Sequence, residues 1–206
     1  YYIVHFGFDV KSIREIEDNL SKMSCIDHVE FVTVNRPTYT PNDPYWNNQY
    51  GLELIQADLA YDLWDIDGGE VPGEMASGEV VVGIVDNGLE WDHPDLVGNA
   101  WQNLGEDADG DGVVIIQSGG NWIFDPGDVN GIDDDGDNYV DNFIGWDVSF
   151  NDNDPMPVNN QYDHGTNVAG CVSASTNNGT GIASVGWSVK LMGINSTDDP
   201  GFVTDG

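Results

Sequence analysis

The feature that most constrains the fold is a largely apolar run, residues 79–85 (EVVVGIV), followed at once by a carboxylate, Asp86. A continuous run of β-branched residues is typical of a parallel strand buried on both faces of a sheet. Residues 189–194 (VKLMGI) have the same character, while residues 52–64 and the small residues of 164–175 predict helices. Strands interleaved with helices predict an α/β fold with a parallel sheet.

The composition is extremely acidic. The 206 residues include five Lys and Arg against 37 Asp and Glu, which gives a formal net charge of −32 at pH 7. A field of that sign repels phosphate backbones and anionic lipid surfaces, so we expect no nucleic-acid and no membrane partner. No apolar run approaches the roughly 20 residues that a membrane span requires. Divalent cations become the natural ligands, although a saline habitat selects the same acidic surface.

The charge changes near residue 40. Residues 1–40 contain four of the five basic residues and six acids, whereas residues 41–206 contain one lysine and 31 acids. Ahead of the change, the spacing of apolar residues predicts a helix over 9–23, and alternation predicts a strand over 28–34. A domain boundary is therefore expected near residue 40.

Asp86 and His164 are predicted to lie where α/β proteins have their active-site residues. Asp86 follows a predicted strand, and active sites gather beyond the carboxyl ends of parallel strands. His164 opens a predicted helix of small residues, DHGTNVAG (163–170). A buried carboxylate can fix the tautomer of a neutral imidazole that acts as a general base. Taken alone, Asp86 is explained by a turn or a helix cap, and His164 by a packed structural histidine. The two motifs together, V-x-I-V-D-x-G and H-G-T-x-V-A-G, are far more specific than either motif by itself.

These motifs resemble those of the subtilisin-like serine peptidases, the subtilases. The resemblance is carried by residues 81–97, 163–170 and 176–186, and residues 39–64 are similar to the start of thermitase-like mature enzymes. It implies a subtilisin-like three-layer α/β fold with a central parallel sheet, of which this chain is the N-terminal part. The implied activity is that of a secreted serine endopeptidase that hydrolyses protein or peptide substrates through a Ser-His-Asp triad.

By that resemblance, Asp86 orients His164 and His164 activates the serine. The family's serine lies in a G-T-S motif far beyond the histidine, and the late serines of this chain lack that context. We therefore expect the nucleophile beyond Gly206, in a downstream half of the catalytic domain, and expect this chain alone to be inactive. Asn87 is a departure, because most members have Ser or Thr there and an amide is closer to the kexin-like branch. The late serines are Ser173, Ser175, Ser184, Ser188 and Ser196.

The start of the chain resembles part of an inhibitory propeptide. Residues 1–38 are similar to the latter half of the small α/β propeptide with which subtilases are made, and maturation would cleave within residues 35–40. The alternative is that these residues add an edge strand to the main domain. Residues 39–206 would then be the N-terminal part of the catalytic domain, with an acidic calcium-binding insertion at about 103–160.

Calcium is the cofactor that both the acidity and the resemblance predict. Calcium takes six to eight oxygens, which flexible loops supply as carboxylates and carbonyls. The family keeps one such site where three motifs of this chain meet, and it would tie the start of the mature domain to the loop after the catalytic helix. Its expected ligands are Asp43, Asp95 and Asn178, with the carbonyls of Ser175, Thr180 and Ile182.

The insertion holds two further candidate calcium loops. Each carries oxygen-bearing residues at alternate positions, but neither has the acid of an EF-hand at position 12, where Ser118 and Ile144 stand. A solvated acidic surface is the alternative for each loop. The expected ligands are Asp133, Asp135, Asp137, the Tyr139 carbonyl and Asp141 in one loop, and Asp107, Asp109 and Asp111 in the other.

Two other functions are alternatives to the peptidase. The first is a calcium-binding structural or adhesive module derived from a degenerate subtilase, which the intact Asp86 and His164 oppose. The second is a metallohydrolase using His164, which is disfavoured because the other histidines show no ligand spacing with it and the acids favour calcium over zinc.

The chain has two cysteines, Cys25 and Cys171. Two are too few for a disulfide framework. They fall in different predicted domains, so we expect no disulfide between them and expect Cys171 to be a buried thiol within a packed helix.

Overall fold

The chain divides into two compact units, Tyr1–Pro37 and Thr38–Gly206. In the first unit, residues 19–21 are helical and a turn follows them. The predicted helix over 9–23 falls largely outside the described residues, as does the predicted strand over 28–34. The computed structural model describes residues 19–26, 29, 39–74, 80–158 and 163–197.

The described part of the second unit contains three α-helices and five β-strands. The helices are α1 (Tyr50–Leu54), α2 (Ala57–Tyr61) and α3 (His164–Ser173). The strands are β1 (Val81–Asp86), β2 (Ile115–Ser118), β3 (Asn121–Phe124), β4 (Gly145–Asp147) and β5 (Lys190–Asn195). Single 3-10 turns cover Trp46–Asn48, Ile66–Gly68, Val97–Asn99 and Leu104–Glu106. No helix in the described ranges combines the length and apolar character that a membrane crossing needs.

Strands β1, β5 and β4 form a parallel sheet in that order. The register pairs both Asp86 of β1 and Asp147 of β4 with Asn195 of β5, so the carboxyl ends of the three strands lie side by side. Helix α3 packs against β1 and β5. The predicted α/β fold with a parallel sheet is confirmed, and the polar edge of the sheet begins at Asp86.

The prediction that the first strand is buried on both faces is wrong for the residues described. Ile84 is 5% exposed, but Val81 is 39% and Val85 is 64% exposed. Strand β1 lies at the edge of this sheet, and side chains alternate between its two faces. Ile84 belongs to the main core cluster together with Ala169 of α3, whereas Val81 and Val85 point to the opposite face.

The predicted helix over 52–64 is two short helices instead. Gln56 separates α1 from α2 in the left-handed conformation, with φ of 57°. The buried residues Leu52 and Ala57 are five positions apart, which one continuous helix would not place on the same face. The break restores that alignment, so that Leu52, Ala57 and Tyr61 pack in one small core with Trp187.

The acidic insertion contributes to the core. Its β2–β3 hairpin and the segment before β4 bring apolar side chains inward, and Phe143 is fully buried. Phe124 stacks on Trp91 with ring centroids 5.1 Å apart and contacts Phe143 at 5.2 Å. A change in the acidic loops is therefore transmitted to the packing beside the sheet.

Cys171 is exposed, so the prediction of a buried thiol is wrong. The buried residues of α3 are Gly165, Ala169, Gly170 and Ser173, and they occupy the side of the helix that faces the sheet. Cys171 lies on the other side. Cys25 is also exposed, and both thiols are free.

Candidate active site

The centre of the site is a contact between Asp86 and His164. Asp86 is the last residue of β1 and His164 is the first of α3. His164 Nδ1 lies 2.9 Å from Asp86 Oδ1 and 2.8 Å from Oδ2. The side chains are 63% exposed for His164 and 20% for Asp86. The imidazole is therefore held through Nδ1 by a half-buried carboxylate, while most of the ring remains accessible.

Two glycines let the strand and the helix approach so closely. Gly88 has φ of 112°, and a Cβ there would lie 2.5 Å from Pro157 N. A Cβ on Gly165 would collide with the Gly88 carbonyl oxygen and lie 2.9 Å from Asp86 Cβ. The turn after β1 and the first turn of α3 therefore require glycine at these positions.

Asn87 connects the two elements. Its backbone N–H donates to Asp86 Oδ1 at 2.8 Å, and its own Oδ1 accepts from the Gly165 N–H at 2.9 Å. The N–H groups of a first helical turn have no partner within the helix, so an oxygen from a neighbouring loop stabilises the helix start. Asn87 thus fixes the end of α3 that carries His164.

This pair has the geometry of a general base and its orienting carboxylate. Nδ1 faces Asp86, so Nε2 is the ring nitrogen directed away from the carboxylate, which is the nitrogen that accepts the nucleophile's proton in a Ser-His-Asp triad. No serine of the described residues is hydrogen-bonded to His164. Ser173 and Ser184 are fully buried, and Ser196 Oγ donates to the Asp86 carbonyl at 3.2 Å.

The first predicted calcium ligands come together at the loop that follows the carboxyl end of α3. Asp43 and Asp95 are 4% and 3% exposed. Asp95 Oδ1 accepts from the Asn178 side chain at 2.9 Å, and Asp95 Oδ2 accepts from the Ile182 N–H at 2.9 Å. Asp43 Oδ2 accepts from the Asn177 N–H at 2.8 Å. The start of the second unit is thereby joined to the loop that follows α3.

These residues fit a calcium ion. Asp43 Oδ1 is buried and has no hydrogen-bond partner among the described residues. Burial raises the pKa of Asp95, and the charge of Asp43 raises it further, while hydrogen bonds from Ile182 and Asn178 lower it. Two buried carboxylates that repel each other and an unpartnered oxygen favour a cation. The remaining predicted ligands lie nearby, because the Ser175 N–H donates to the Asp95 carbonyl and the Thr180 N–H to Asn178 Oδ1.

The loop at 133–141 folds around a carboxylate that sequence reasoning missed. Glu106 is fully buried, and its Oε1 accepts from the Asp134 and Asp135 N–H groups at 3.1 and 3.3 Å. One carboxylate oxygen from each of Glu106, Asp133 and Asp135 lies within 4.8 Å of the others. Burial raises the pKa of Glu106, although these amide hydrogen bonds lower it.

The other predicted ligands of that loop have different contacts. Asp137 Oδ1 accepts from the Tyr139 N–H at 2.8 Å, and Asp137 Oδ2 accepts from the Asn142 side chain at 3.0 Å. Asp141 Oδ2 accepts from the Gly131 N–H at 3.0 Å. The structure therefore brings Glu106 to Asp133 and Asp135, and it uses Asp141 to hold the preceding turn.

The loop that begins at Asp107 is folded in the same way. Asp107 Oδ1 accepts from the Gly110 N–H at 2.7 Å, and Asp107 Oδ2 accepts from the Gly112 N–H at 2.8 Å. Asp109 meets Asp107 and a residue not predicted, Asp128, within 4.8 Å. Asp111 is not in this group, and its Oδ1 accepts from the Val113 N–H at 3.0 Å.

Comparison with known proteins agrees with this fold. Residues 77–205 match the profile of the Subtilase family. The chain is 29% identical over 198 residues to the thermophilic serine proteinase of Bacillus sp. (strain AK1), a match that covers 94% of this chain and 36% of that protein. Thermitase of Thermoactinomyces vulgaris is 31% identical over 164 residues, or 79% of this chain and 39% of thermitase. Halolysin of Haloferax mediterranei is 27% identical over 190 residues, or 90% of this chain and 27% of halolysin.

The chain belongs to the subtilase family. The family match includes both Asp86 and His164 and the whole of the parallel sheet. In the matches above, this chain spans between 27% and 39% of the length of its relatives.

Proposed function

We propose that this protein is a secreted, calcium-stabilised serine endopeptidase of the subtilisin type. The observation that carries the proposal is the contact of both Asp86 carboxylate oxygens with His164 Nδ1 at the carboxyl end of a parallel strand. The substrates are proteins or peptides, because the relatives include a thermophilic serine proteinase.

In the proposed mechanism, Asp86 holds His164 in the tautomer with a proton on Nδ1. His164 Nε2 takes the hydroxyl proton of a serine as that serine attacks the scissile carbonyl, and then gives the proton to the leaving amine. We place this serine beyond Gly206, in a downstream half of the catalytic domain. The short share of its relatives that the chain spans supports that placement.

Calcium would stabilise the region that carries His164. Asp43, Asp95 and Asn178, with the carbonyls of Ser175, Thr180 and Ile182, would hold one ion beside the carboxyl end of α3. Glu106, Asp133 and Asp135 would hold another against the core. The unpartnered Asp43 oxygen and the meeting of three carboxylates within 4.8 Å support these assignments.

Residues 1–38 would be the end of a propeptide that binds the catalytic domain and is cleaved from it within residues 35–40. The division of the chain between Pro37 and Thr38 supports that boundary. Secretion is proposed because the motifs of the chain resemble those of secreted subtilases.

Expression of the full-length protein tests the proposal. The wild-type protein recovered from the medium is expected to begin within residues 35–40 and to hydrolyse a fluorogenic peptide. His164→Ala should lower kcat by a factor on the order of 10⁴ or more, because the general base is lost. Cys171→Ala changes an exposed residue of the same helix and serves as the matched control, with activity near wild type.

Each part of the proposal has an outcome that contradicts it. Activity of His164→Ala near wild type would remove His164 from the mechanism, and a mature start well before residue 35 would refute the propeptide boundary. A full-length wild-type protein that binds calcium but hydrolyses no peptide would be the calcium-binding structural module instead.

A further inference from the structure

The two acidic loops of the insertion each lack a ligand that calcium loops ordinarily carry. In an EF-hand loop, an acid at position 12 closes the coordination sphere. Ser118 and Ile144 stand at those positions here. A carboxylate from elsewhere in the chain has to take that place if either loop is to bind a cation of this type.

Asp128 is such a carboxylate for the loop that begins at Asp107. It follows the β2–β3 hairpin, is fully buried, and its Oδ1 accepts from the Ala108 and Asp109 N–H groups at 2.9 and 3.2 Å. Its Oδ2 is buried and has no hydrogen-bond partner in the part of the chain that the structure describes. A buried carboxylate oxygen without a partner is costly, and a bound cation satisfies it.

The surroundings of Asp128 favour a cation over a protein partner. One carboxylate oxygen from each of Asp107, Asp109 and Asp128 lies within 4.8 Å of the others. A Cβ on Gly127 would collide with Asp109 Oδ2, so this glycine leaves room for the carboxylate of Asp109. Residues 103–160 contain 14 acids and no Lys, Arg or His, so the insertion has no basic residue to balance these charges.

Burial also raises the pKa of Asp128, and the charges of Asp107 and Asp109 raise it further, while hydrogen bonds from the Asp109 and Ala108 amides lower it. Without a cation, the three carboxylates repel one another and one buried oxygen has no partner. A hard divalent cation bound between them would neutralise the carboxylates and stabilise the loop.

We propose that Asp128 completes a calcium site with Asp107 and Asp109, and that this ion fastens the end of the β2–β3 hairpin to the loop before it. The site is separate from the one at Glu106, although Glu106 and Asp107 are consecutive residues. The carboxylate of Glu106 lies with those of Asp133 and Asp135, whereas that of Asp107 lies with those of Asp109 and Asp128. The inference deepens the calcium part of the proposed function and does not depend on peptidase activity.

The test is a Ca²⁺ titration of the full chain after decalcification, with native mass spectrometry to count ions. Asp128→Asn keeps the size and one acceptor oxygen but removes the charge. It should bind one ion fewer, or bind one ion at least tenfold more weakly. Glu53→Gln removes a charge from an exposed residue of α1, outside both acidic groups, and should leave binding unchanged.

Melting curves separate ligand loss from a packing defect. In EGTA, Asp128→Asn should melt at or above the wild-type temperature, because one of three repelling charges is gone. In calcium, it should melt below wild type. Wild-type ion count and affinity in the variant would overturn the inference, as would an equal fall of Tm in both buffers.

A second variant covers the case in which Asp128→Asn fails to fold. Asp109 is exposed, and Asp109→Asn should also lose an ion. Its Tm should likewise be at or above that of wild type in EGTA and below it in calcium. A wild-type chain that binds no calcium at all would refute this site and the calcium part of the proposed function together. If Asp95→Asn lost an ion while Asp128→Asn and Asp109→Asn kept the wild-type ion count and affinity, this site alone would be refuted.

Discussion

The candidate catalytic pair, Asp86 and His164, and the acidic loops that begin at Asp107 and Asp133 use carboxylates in opposite ways. Asp86 has hydrogen-bonding partners in the chain itself, since both its oxygens contact His164 Nδ1 and one accepts from the Asn87 N–H. In the loops, carboxylates converge on one another, and the protein donors around Glu106 and Asp128 are backbone amides. The chain itself supplies the partners of Asp86, whereas the loops bring carboxylates together in an arrangement that a bound cation would neutralise.

That difference has a physical cause. A carboxylate that contacts an imidazole N–H has its hydrogen-bonding needs met by the chain, and the imidazole itself remains accessible to solvent. Carboxylates that face one another are destabilised both by burial and by repulsion, and they fold as charged groups only with a cation between them. Calcium should therefore change the stability of the loops strongly. It should act on Asp86 and His164 only indirectly, through the packing beside the sheet and through the proposed site at Asp43 and Asp95 beside the end of α3.

The largest effect that tests this comparison is the removal of calcium. A single site occupied at 100 times its Kd contributes about 2.7 kcal/mol. For a domain of this size, 1 kcal/mol corresponds to a shift of about 2–4 °C, so EGTA should lower the Tm of the full-length protein by at least about 5 °C. Differential scanning calorimetry with and without calcium measures the shift.

Ionic strength is the main alternative cause of such a shift, because salt screens the net charge of −32. The control is NaCl at matched ionic strength in EGTA. If calcium raised Tm by less than about 2 °C over that control, roughly half a kcal/mol, the loops would be solvated acidic surface and the comparison would fail.

A smaller effect is expected from pH. Burial raises the pKa values of Asp95, Glu106 and Asp128 above their ordinary values of 3.8 for Asp and 4.5 for Glu. Such groups hold a proton more tightly when folded, so their stabilisation is full below the ordinary pKa and is lost as the pH rises through the raised value. In EGTA, Tm should therefore fall as the pH rises from about 4 towards neutrality.

Calcium should reverse that slope, because protons compete with the ion for the same carboxylates. Tm measured against pH in both buffers shows whether the slopes have opposite signs. Glu106→Gln removes one of the titrating groups and should flatten the slope in EGTA. Slopes of the same sign in both buffers would mean that these carboxyls do not bind calcium.

Sequence reasoning reached the catalytic pair more completely than the loops. Asp86 and His164 lie in local motifs, and the structure brings them into contact as expected. Glu106 and Asp128 were missed because each acts on a loop at a distance along the chain, 27 residues before Asp133 in one case and 21 after Asp107 in the other. The available signal was that both loops lack an acid at position 12. A loop of this kind that binds a cation needs a carboxylate ligand from elsewhere in the chain.

The fold shows the same division between local and distant determinants. The ends of α3 and β5 were predicted within two residues, because small-residue spacing and β-branched runs are local patterns. The left-handed conformation of Gln56 and the exposure of Val85 depend on which other elements cover the helix and the strand. The local sequence around each residue does not determine that. The β2–β3 hairpin was missed although it has a local signal: Gly119 and Gly120 stand between two runs that contain apolar residues, 115–118 and 121–124.

The smallest effect concerns Asn87, on the catalytic side of the comparison. Asn87→Ala removes the oxygen that accepts from the Gly165 N–H at the start of α3. Loss of an acceptor of this kind at a helix start costs about 1 kcal/mol, which corresponds to about 2–4 °C in Tm for a domain of this size. Because the contact involves no cation, the loss should be equal in calcium and in EGTA.

Asn87→Asp is the matched control, since it keeps an oxygen at the same position and should retain most of the stability. Peptide hydrolysis by the full-length protein provides the second measurement. If Asn87 positions His164, kcat should fall in Asn87→Ala while KM changes little, because the imidazole is misplaced and the substrate contacts are not. A loss of Tm that appeared only in EGTA would show that calcium fixes the start of α3 as well, and the catalytic pair would then depend on the cation that the comparison assigns to the loops.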